Sequence, residues 1–355
     1  MNELMPYPLL ALVGQTEMKT ALSLALVNPA IGGVLLSGPY GVGKTTAVRG
    51  LLDIMPTVKR SRCENGCPPD DDSDLCPECQ AWLAAGESRL RDDLMRLLEL
   101  PLNARLEDVV GGLNERVALE QQRVLLEDGI LSRAHGNILY IDEINLLDSA
   151  VVDAILDAAA QGQTFVRRGA MVRLYPSQFV LIGSMNPEEG RLRPQILDRL
   201  GLRVWIAPRA AGRERLEIYR RAVAFRRDRT GFRARYAAET AKLQADVRSA
   251  RLLLPSVTLT QAAEALAMRV IADLNIPSHR AEIVLLEAAR ARAAADNRTR
   301  ANTADIRAVA PMALRWRRSE HLDAFMATHT ADERRIAESL RGRSQKSEVR
   351  SQDEA

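Results

Sequence analysis

Residues Gly38 to Thr45 read G-P-Y-G-V-G-K-T, which fits the phosphate-binding pattern G-x-x-x-x-G-K-[ST]. The pattern forms such a loop where a strand precedes it and a helix follows. Gly33 to Ser37 is a short apolar run typical of a buried parallel strand, and Thr46 to Met55 has a helical pattern that Pro56 ends. Glycines let backbone N–H groups turn toward phosphate oxygens. The segment therefore restricts the chain to an α/β nucleotide-binding fold.

Lysine is scarce in this chain, with five lysines among the 49 basic residues. One of them, Lys44, falls where a compact ammonium contacts the β and γ phosphates and where a planar guanidinium would be crowded. We predict that the hydroxyl of Thr45 ligates Mg²⁺. The predicted nucleotide-binding residues of this segment are Gly38, Pro39, Tyr40, Gly41, Val42, Gly43, Lys44, Thr45 and Thr46.

Four further apolar runs are typical of strands in the same sheet, and Leu97 to Leu102 is the weakest of them. The other three are Ile138 to Ile141, Phe179 to Ile182 and Leu202 to Ile206. Helical patterns at Glu115 to Asp128 and Ser149 to Ala160 alternate with them, as in a doubly wound domain. We predict an α/β domain over residues 1–208 with a parallel five-stranded sheet.

Two acids follow the run Ile138 to Ile141, at the predicted carboxyl end of a buried strand. There Asp142 can hold Mg²⁺ through water, and Glu143 can orient and polarise an attacking water molecule. The alternative is a pair of N-capping acids that opens the next helix. Together with the phosphate loop, the two acids predict the active site of an NTPase.

Asn186 follows the run Phe179 to Ile182, in the sequence Gly183-Ser184-Met185-Asn186-Pro187. An amide at this strand end can bind the attacking water or the γ-phosphate, the role called sensor 1. Asparagine before proline is also common in turns, so a plain turn is the alternative interpretation.

The four cysteines of the chain lie between the first helix and the next strand, with the spacing C-x₃-C-x₈-C-x₂-C. Two close pairs are typical of a tetrathiolate zinc site. An iron–sulfur or redox-active centre and unmetallated thiols are the alternatives. We predict a structural Zn²⁺ site within an insert of about residues 59–82. Its candidate ligands are Cys63, Cys67, Cys76 and Cys79.

Strand patterns cease after Pro208. Residues 209–251 are predicted to form a basic helical connector. Within it, residues 209–250 carry twelve basic and five acidic residues, a net charge of +7, which favours long solvated helices over a nucleic-acid surface because aromatic residues are sparse. From residue 252 to 340 the pattern is all helical, with helices predicted at Thr258 to Leu274, Ser278 to Asn297 and Thr303 to Arg318. Residues 341–355 are polar and predict a disordered tail.

The hydrophobic fraction of 46% and the charged fraction of 27% are those of a globular protein and exclude a wholly disordered chain. No apolar run approaches the ~18 residues of a membrane helix, and residues 1–14 lack the pattern of a signal peptide. We expect a cytoplasmic protein without a membrane partner. The net charge of +3 gives no indication of a nucleic-acid partner.

The order of the phosphate loop, Asp142-Glu143, Asn186 and Arg193 to Arg199 resembles that of AAA+ ATPases. More narrowly, residues 7–318 resemble the I subunit of magnesium chelatase and its MoxR-like relatives. The stretches that carry the resemblance are Tyr7-Pro8, Val13-Gly14-Gln15, Glu17-Met18-Lys19, Gly32-Gly33-Val34-Leu35, Leu100-Pro101-Leu102, Tyr140 to Leu147, Asn186 to Gly190, Arg193 to Arg199 and Pro311 to Leu314.

The resemblance implies roles for further residues. Val13, Gly14 and Gln15 match a segment near the adenine. Arg199 matches the arginine finger that reaches the γ-phosphate of a neighbouring subunit, with Asp198 as the acid beside it; a surface ion pair between the two is the alternative. Arg280 matches the sensor 2 arginine of the C-terminal lid domain, although His279 and Ala281 depart from the family pattern. An ordinary arginine at a helix start is the alternative there.

Two insertions also have counterparts in the family. Gln163 to Tyr175 alternates around a short turn, which predicts a β-hairpin, and it matches the pre-sensor 1 hairpin. Leu106 to Asn114 falls where the family has its helix 2 insert. By resemblance these segments contact a partner or client, and a plain surface hairpin is the alternative.

The resemblance implies an ATP-hydrolysing ring, a hexamer, that uses ATP and Mg²⁺. Its partners would be a D-type subunit with AAA+ and von Willebrand factor A domains and a large H-type subunit that inserts Mg²⁺ into protoporphyrin IX. The alternatives are a cobaltochelatase-type or MoxR-like motor for another client, a motor that acts on nucleic acid, and a scaffold that binds nucleotide but hardly hydrolyses it.

Overall fold

The computed structural model describes residues 5–63, 67, 69, 72, 75–113, 126–168, 171–190, 192–208 and 212–317. Several sequence predictions lie outside these residues. They are residues 115–125 of the predicted helix Glu115 to Asp128, Asn114 of the second insertion, the hairpin tip at 169–170, the lid residues 318–340 and the tail 341–355.

A sheet of five strands forms the centre of the α/β part, and all neighbouring strands in it are parallel. Across the sheet the strands lie in the order β11 (Leu202–Trp205), β1 (Val34–Ser37), β10 (Val180–Met185), β7 (Ile138–Ile141) and β4 (Leu97–Leu100). Every residue of β1, β7 and β10 is buried, which explains why these strands read as unbroken apolar runs. The predicted α/β fold with a parallel five-stranded sheet is confirmed.

Helices flank the sheet on both faces. In the α/β part they are α1 (Thr16–Val27), α2 (Lys44–Arg49), α3 (Pro77–Ala84), α4 (Leu106–Val110), α5 (Ile130–Arg133), α6 (Ser149–Gln161) and α7 (Pro194–Arg199). The helix predicted at Thr46 to Met55 begins two residues earlier and changes to a 3₁₀ helix at Gly50–Ile54. A Cβ atom on Gly50 would lie 2.9 Å from the carbonyl oxygen of Tyr7, so the amino-terminal segment passes directly over this turn.

Three two-stranded antiparallel sheets extend from the α/β core. They pair β2 (Thr57–Ser61) with β3 (Leu90–Leu94), β5 (Gly111–Leu113) with β6 (Leu126–Asp128), and β8 (Gln163–Arg168) with β9 (Met171–Pro176). The hairpin predicted at Gln163 to Tyr175 is confirmed. The prediction of a helix up to Asp128 is wrong at its end, because Leu126–Asp128 pairs as a strand with Gly111–Leu113.

The remaining helices are α8 (Gly212–Arg227), α9 (Arg229–Ala234), α10 (Ala237–Leu253), α11 (Gln261–Asp273), α12 (His279–Ala295) and α13 (Thr303–Leu314). The helix predicted to begin at Thr258 begins at Gln261 instead. Residues Thr258–Leu259 form β12, which pairs in parallel with β13 (Arg300–Ala301), and the hydroxyl of Thr260 accepts a hydrogen bond from the backbone N–H of Ala263 to cap the helix.

Two apolar clusters hold the fold together. One lies on a single side of the sheet and contains residues of the strands and of the C-terminal helices, among them Ile182, Ala288 and Val309. The other packs α6 and α5 against the opposite side, around Leu139 and Ile155. The domain boundaries at residues 208 and 251 stay predictions, since the first cluster runs without a break across both of them.

A buried carboxylate organises the end of the helical part. Asp305 is 1% exposed, and its side chain accepts hydrogen bonds from Arg298 (Nη1 to Oδ2, 2.9 Å) and from the backbone N–H of Asn302 (2.8 Å). Burial alone raises the pKa of the Asp305 carboxyl, but these hydrogen bonds outweigh it and hold the pKa below the ordinary 3.8. The carboxylate therefore stabilises the start of α13 as an anion.

The substitution Asp305→Asn should lower the free energy of unfolding by about 2 kcal/mol at pH 7, because it removes the buried carboxylate that accepts charge-assisted hydrogen bonds from the partly exposed Arg298. A depressed pKa contributes stability above the unfolded-state pKa and loses it as the pH falls through the folded-state value. The difference in the free energy of unfolding between wild type and variant should therefore become smaller below about pH 4. Urea unfolding at pH 7 and pH 3 measures it, and the exposed Asp246→Asn serves as the control. An equal difference at both pH values would contradict the ionic role.

Candidate active site

The phosphate loop follows β1 and lies between the carboxyl ends of neighbouring strands. Gly41 (φ 74°) and Gly43 (φ 92°) have left-handed backbone conformations that glycine adopts at low cost. A Cβ atom on Gly38 would lie 2.5 Å from the carbonyl oxygen of Ile206, whereas one on Gly41 would meet nothing within 4 Å. The loop is thus held against β11 at its start and is open at its tip, where a phosphate can approach the backbone.

Lys44 begins α2 and turns back over the loop. Its Nζ donates hydrogen bonds to the carbonyl oxygens of Gly38 and Pro39, the latter at 3.0 Å. Burial lowers the pKa of the Lys44 ammonium, and the charges of Asp142 and Glu143 partly offset that effect. Within the described part of the chain, the ammonium's hydrogen-bond acceptors are these carbonyl oxygens, which an anionic phosphate can replace.

A carboxylate and a hydroxyl meet beside the loop. The Thr45 hydroxyl donates to Oδ2 of Asp142 at 3.0 Å, and the phenol of Tyr140 donates to Oδ1 at 2.9 Å. The hydroxyl of Ser184 donates to the same Oδ1. Burial raises the pKa of the Tyr140 hydroxyl. Hydroxyl and carboxylate oxygens are the hard donors that Mg²⁺ prefers, so Thr45 and Asp142 fit this ion.

Glu143 has a left-handed backbone (φ 53°), which is uncommon for a residue other than glycine. Its backbone N–H donates to the hydroxyl of Ser184 at 3.1 Å. Glu143 makes no side-chain cap to the 3₁₀ helix that follows, and the side chain that caps α6 belongs to Asp148. The N-capping alternative for the acid pair is therefore wrong. Strained backbone of this kind is characteristic of functional sites.

Asn186 directly follows β10 and is 1% exposed. Its Oδ1 accepts a hydrogen bond from the backbone N–H of Glu188 at 3.2 Å, as expected for a turn. Its Nδ2 is buried and has no hydrogen-bond partner among the residues that the structure describes. A buried donor without a partner costs free energy, so a water molecule or phosphate oxygen bound here would be stabilised.

The segment Val13 to Gln15 lies next to the phosphate loop. The preceding residue, Leu12, is the nearest neighbour of a Cβ atom placed on Gly43, at 3.8 Å. Gly14 (φ 63°) and Gln15 (φ 53°) turn the chain into α1, and Lys19 Nζ donates to the carbonyl oxygen of Leu12 at 2.6 Å. The segment therefore lies beside the loop, and its contact with the adenine stays a prediction.

Arg199 and Arg280 lie elsewhere. Arg199 ends α7, three residues before β11 begins, and a Cβ atom on Gly32 would lie 3.4 Å from its carbonyl oxygen. The start of β11 and Gly32, which precedes β1, both lie at the amino edge of the sheet, whereas Lys44 follows the carboxyl edge. Four strand residues separate the two edges by roughly 13 Å. The structure does not bring these two arginines to the phosphate loop.

Asp198 connects α7 to the C-terminal helices. Its Oδ1 accepts hydrogen bonds from the hydroxyl of Ser278 (2.7 Å) and from Nη1 of Arg317 (3.2 Å), and its Oδ2 lies 3.9 Å from Nε of Arg280. Arg199 forms an ion pair with Asp157 of α6 (Nη1 to Oδ1, 3.0 Å). The alternative prediction of an ion pair was therefore wrong in naming Asp198 as the partner.

The four cysteines converge on one point. Their Sγ atoms all lie within 4.8 Å of one another, and no disulfide joins them. Backbone N–H groups donate to three of the sulfur atoms: from Cys67 to Cys63 at 3.5 Å, from Cys76 to Cys67 at 3.3 Å, and from Cys79 to Cys76 at 3.5 Å. The predicted ligand set is brought together.

Sequence reasoning missed Tyr140 and Ser184, which bind the side chain of Asp142. Both are polar residues inside otherwise apolar strands, and Ser184 lies two residues before Asn186, on the same face of β10. A polar residue within an apolar strand was the sequence feature that could have indicated them.

Among the described helices, none is long and apolar enough to cross a membrane.

Two family models match the chain: "Magnesium chelatase, subunit ChlI" over residues 115–209 and "AAA lid domain" over residues 264–338. The magnesium-chelatase 38 kDa subunit of Acidiphilium rubrum is 45% identical over 325 residues, which cover 90% of this chain and 94% of that protein. The ChlI homolog of Methanocaldococcus jannaschii is 39% identical over 310 residues, which cover 87% of this chain and 84% of that protein.

Two solved structures are similar to the chain. A putative ATPase from Cytophaga hutchinsonii has a TM-score of 0.54 at 19% identity, with 87% of this chain and 84% of that chain covered, and it shares the fold. A chain from a complex of magnesium chelatase subunits BchI and BchD is 34% identical with a TM-score of 0.48, and the match covers 90% of this chain and 99% of that one.

Proposed function

The chain belongs to the ChlI family of magnesium chelatase subunits, which are AAA+ ATPases, and from this premise we propose that it drives the insertion of Mg²⁺ into protoporphyrin IX by a partner subunit. The observation that carries the proposal is the convergence of Lys44, Thr45 and Asp142 around an open glycine loop. These residues bind and orient ATP, and the metallation of the porphyrin takes place on the partner.

Thr45 and Asp142 would hold Mg²⁺, which supplies positive charge to the β and γ phosphates of bound ATP. Lys44 exchanges its contacts with loop carbonyls for contacts with the phosphates. Glu143 orients the attacking water and accepts its proton. The unpartnered Nδ2 of Asn186 donates to that water or to the γ-phosphate.

We expect Lys44→Ala and Glu143→Gln each to abolish ATP turnover while the chain stays folded. The first removes the cation from the phosphate site, so nucleotide binding is lost; the second keeps the shape of the side chain, so ATP still binds. Phosphate release, binding of a fluorescent ATP analogue and circular dichroism measure the three properties. Lys242→Ala, at an exposed position of α10, is the matched control. Unchanged kcat in either variant would refute the site.

The client requires a separate readout. With H-type and D-type subunits present, the wild-type chain should support formation of magnesium protoporphyrin IX, and both variants should fail. ATP hydrolysis without magnesium insertion would favour the cobaltochelatase-type or MoxR-like alternative. Salt-sensitive stimulation of hydrolysis by DNA would favour the nucleic-acid motor.

We propose that the chain works as a ring, a hexamer in this family by resemblance, because each protomer divides its active-site residues between two edges. The phosphate loop follows the carboxyl edge of the sheet, and Arg199 and Arg280 lie at the amino edge. An arginine finger held roughly 13 Å or more from its own loop can serve only the nucleotide of a neighbouring protomer. A D-type subunit can occupy the same kind of interface.

Mixing two inactive variants tests this arrangement. Arg199→Ala and Lys44→Ala should each lower kcat by at least ~10³-fold on their own. Mixed rings should regain activity, because the intact loop of one variant then faces the intact arginine of the other. Arg248→Ala, on the exposed side of α10, controls for loss of positive charge. Mixtures as inactive as their components would show that Arg199 acts within its own protomer or not at all.

We also propose that Cys63, Cys67, Cys76 and Cys79 hold a structural Zn²⁺ ion. Tetrahedral zinc with Zn–S bonds of about 2.3 Å places sulfur atoms about 3.8 Å apart, which the observed cluster allows. Apart from the thiols, the apolar cluster here contains Leu75 and the partly buried Trp82. So small a core needs a metal or another cross-link to hold it. Cysteines that are not joined by disulfides also fit a reducing compartment, the cytoplasm.

Purified protein should contain one zinc ion per chain by plasma mass spectrometry. Cys67→Ser with Cys79→Ser should abolish zinc binding and leave the affinity for ATP unchanged, because the cluster shares no residue with the phosphate loop. Ser88→Ala is the matched control, because it lies at an exposed position of the same region, keeps all four thiols and makes its side-chain hydrogen bonds to Leu90. Fewer than about 0.5 equivalents of metal with four titratable thiols would refute the site, and iron in place of zinc would favour the iron–sulfur alternative.

A further inference from the structure

Three hydroxyl groups converge on the carboxylate of Asp142. Oδ2 accepts a hydrogen bond from Thr45 at 3.0 Å, and Oδ1 accepts one from Tyr140 at 2.9 Å and one from Ser184. Tyr140 is 1% exposed and Ser184 is fully buried. The sequence motifs of the nucleotide site give Thr45 and Asp142 a role in holding Mg²⁺, but they give no role to the hydroxyls of Tyr140 and Ser184.

A count of lone pairs shows what the two buried hydroxyls do. A carboxylate oxygen accepts about two hydrogen bonds, so Tyr140 and Ser184 together saturate Oδ1. Oδ2 keeps one acceptor site beside its bond to Thr45. A cation, or a water molecule bound to it, can therefore approach Asp142 only at Oδ2, on the side of the phosphate loop.

We propose that Tyr140 and Ser184 are positioning residues that turn the Mg²⁺-binding carboxylate of Asp142 toward the phosphate loop. The inference rests on the proposed nucleotide site and deepens it. Hydrogen-bond partners of a metal ligand fix its orientation, and their removal lowers metal affinity by about 10- to 100-fold. In the proposed site both residues act through Asp142, to which their hydroxyls donate.

Ser184 has a second role that Tyr140 lacks. Its hydroxyl donates to Asp142 and also accepts a hydrogen bond from the backbone N–H of Glu143 at 3.1 Å. It therefore supports the left-handed turn that aims the Glu143 side chain. Loss of the Ser184 hydroxyl disturbs both the metal ligand and the backbone of the general base. The Tyr140 hydroxyl lies nearest to Asp142 and also 3.3 Å from Thr45 Oγ1 and 3.4 Å from Ser184 Oγ, so its loss acts first on the two metal ligands.

The test separates Mg²⁺ binding from nucleotide binding. The affinity of the full chain for ADP is measured by calorimetry in EDTA and then at increasing Mg²⁺ concentrations, for wild type, Tyr140→Phe and Ser184→Ala. In EDTA all three should bind ADP equally within about twofold. The Mg²⁺ concentration that half-maximally tightens binding should rise about tenfold in both variants.

Catalysis then distinguishes the two residues. At saturating Mg²⁺, Tyr140→Phe should reach the kcat of wild type, and Ser184→Ala should stay at least about tenfold below it. Ser184→Thr, which restores a hydroxyl, should recover most of both losses. Tyr175→Phe and Ser177→Ala remove buried hydroxyls in or beside the β8–β9 hairpin and should leave the Mg²⁺ dependence unchanged.

Two results would overturn the proposal. An unchanged Mg²⁺ requirement in both variants would show that Asp142 needs neither hydroxyl. If the variants bound ADP more weakly in EDTA by the same factor as in Mg²⁺, the two residues would have a structural role only. A wild-type chain that binds no ADP at any Mg²⁺ concentration would instead refute the proposed function, and the two failures stay distinguishable.

Discussion

The parallel pairing of β1, β10 and β7 is the constraint on which the rest of the site depends. Backbone hydrogen bonds set Leu36 beside Ser184 and Ile182 beside Tyr140, so the three strands end at one edge. Each strand delivers one chemical group there: the phosphate loop, Asn186, and Asp142 with Glu143. A shift of register by one residue would turn these side chains to the other face of the sheet and separate them.

Much of this could be predicted from the sequence, because local patterns specify it. The loop Gly38 to Thr45 has a fixed spacing, and strands buried on both faces read as apolar runs. What could not be predicted depends on contacts between distant segments. Leu126–Asp128 is a strand because Gly111–Leu113 pairs with it, and α2 gives way to a 3₁₀ helix where the amino-terminal segment crosses Gly50. The contact of Ser184 with Asp142 exists only once the strand register is set.

The roles of Arg199 and Arg280 show a different limit. The family resemblance assigns a function to each arginine, but the motifs contain no information on where the residues lie relative to the loop. The topology supplies it: a helix that ends just before β11 must lie at the amino edge, opposite to the loop that follows β1. The cysteines were the easier case, because four thiols that are close in sequence can meet without any long-range contact.

The apolar cluster that joins the sheet to the C-terminal helices has a mechanical consequence. A hinge between the two parts would expose side chains such as Ile182 and Val309, at about 25 cal/mol for each square ångström uncovered. Asp198 of α7 accepts hydrogen bonds from Ser278 and Arg317, and so joins α7 to the same C-terminal part. The two parts therefore resist bending against each other, and in the proposed ring such a protomer would transmit a change at its nucleotide site to its neighbours as one body.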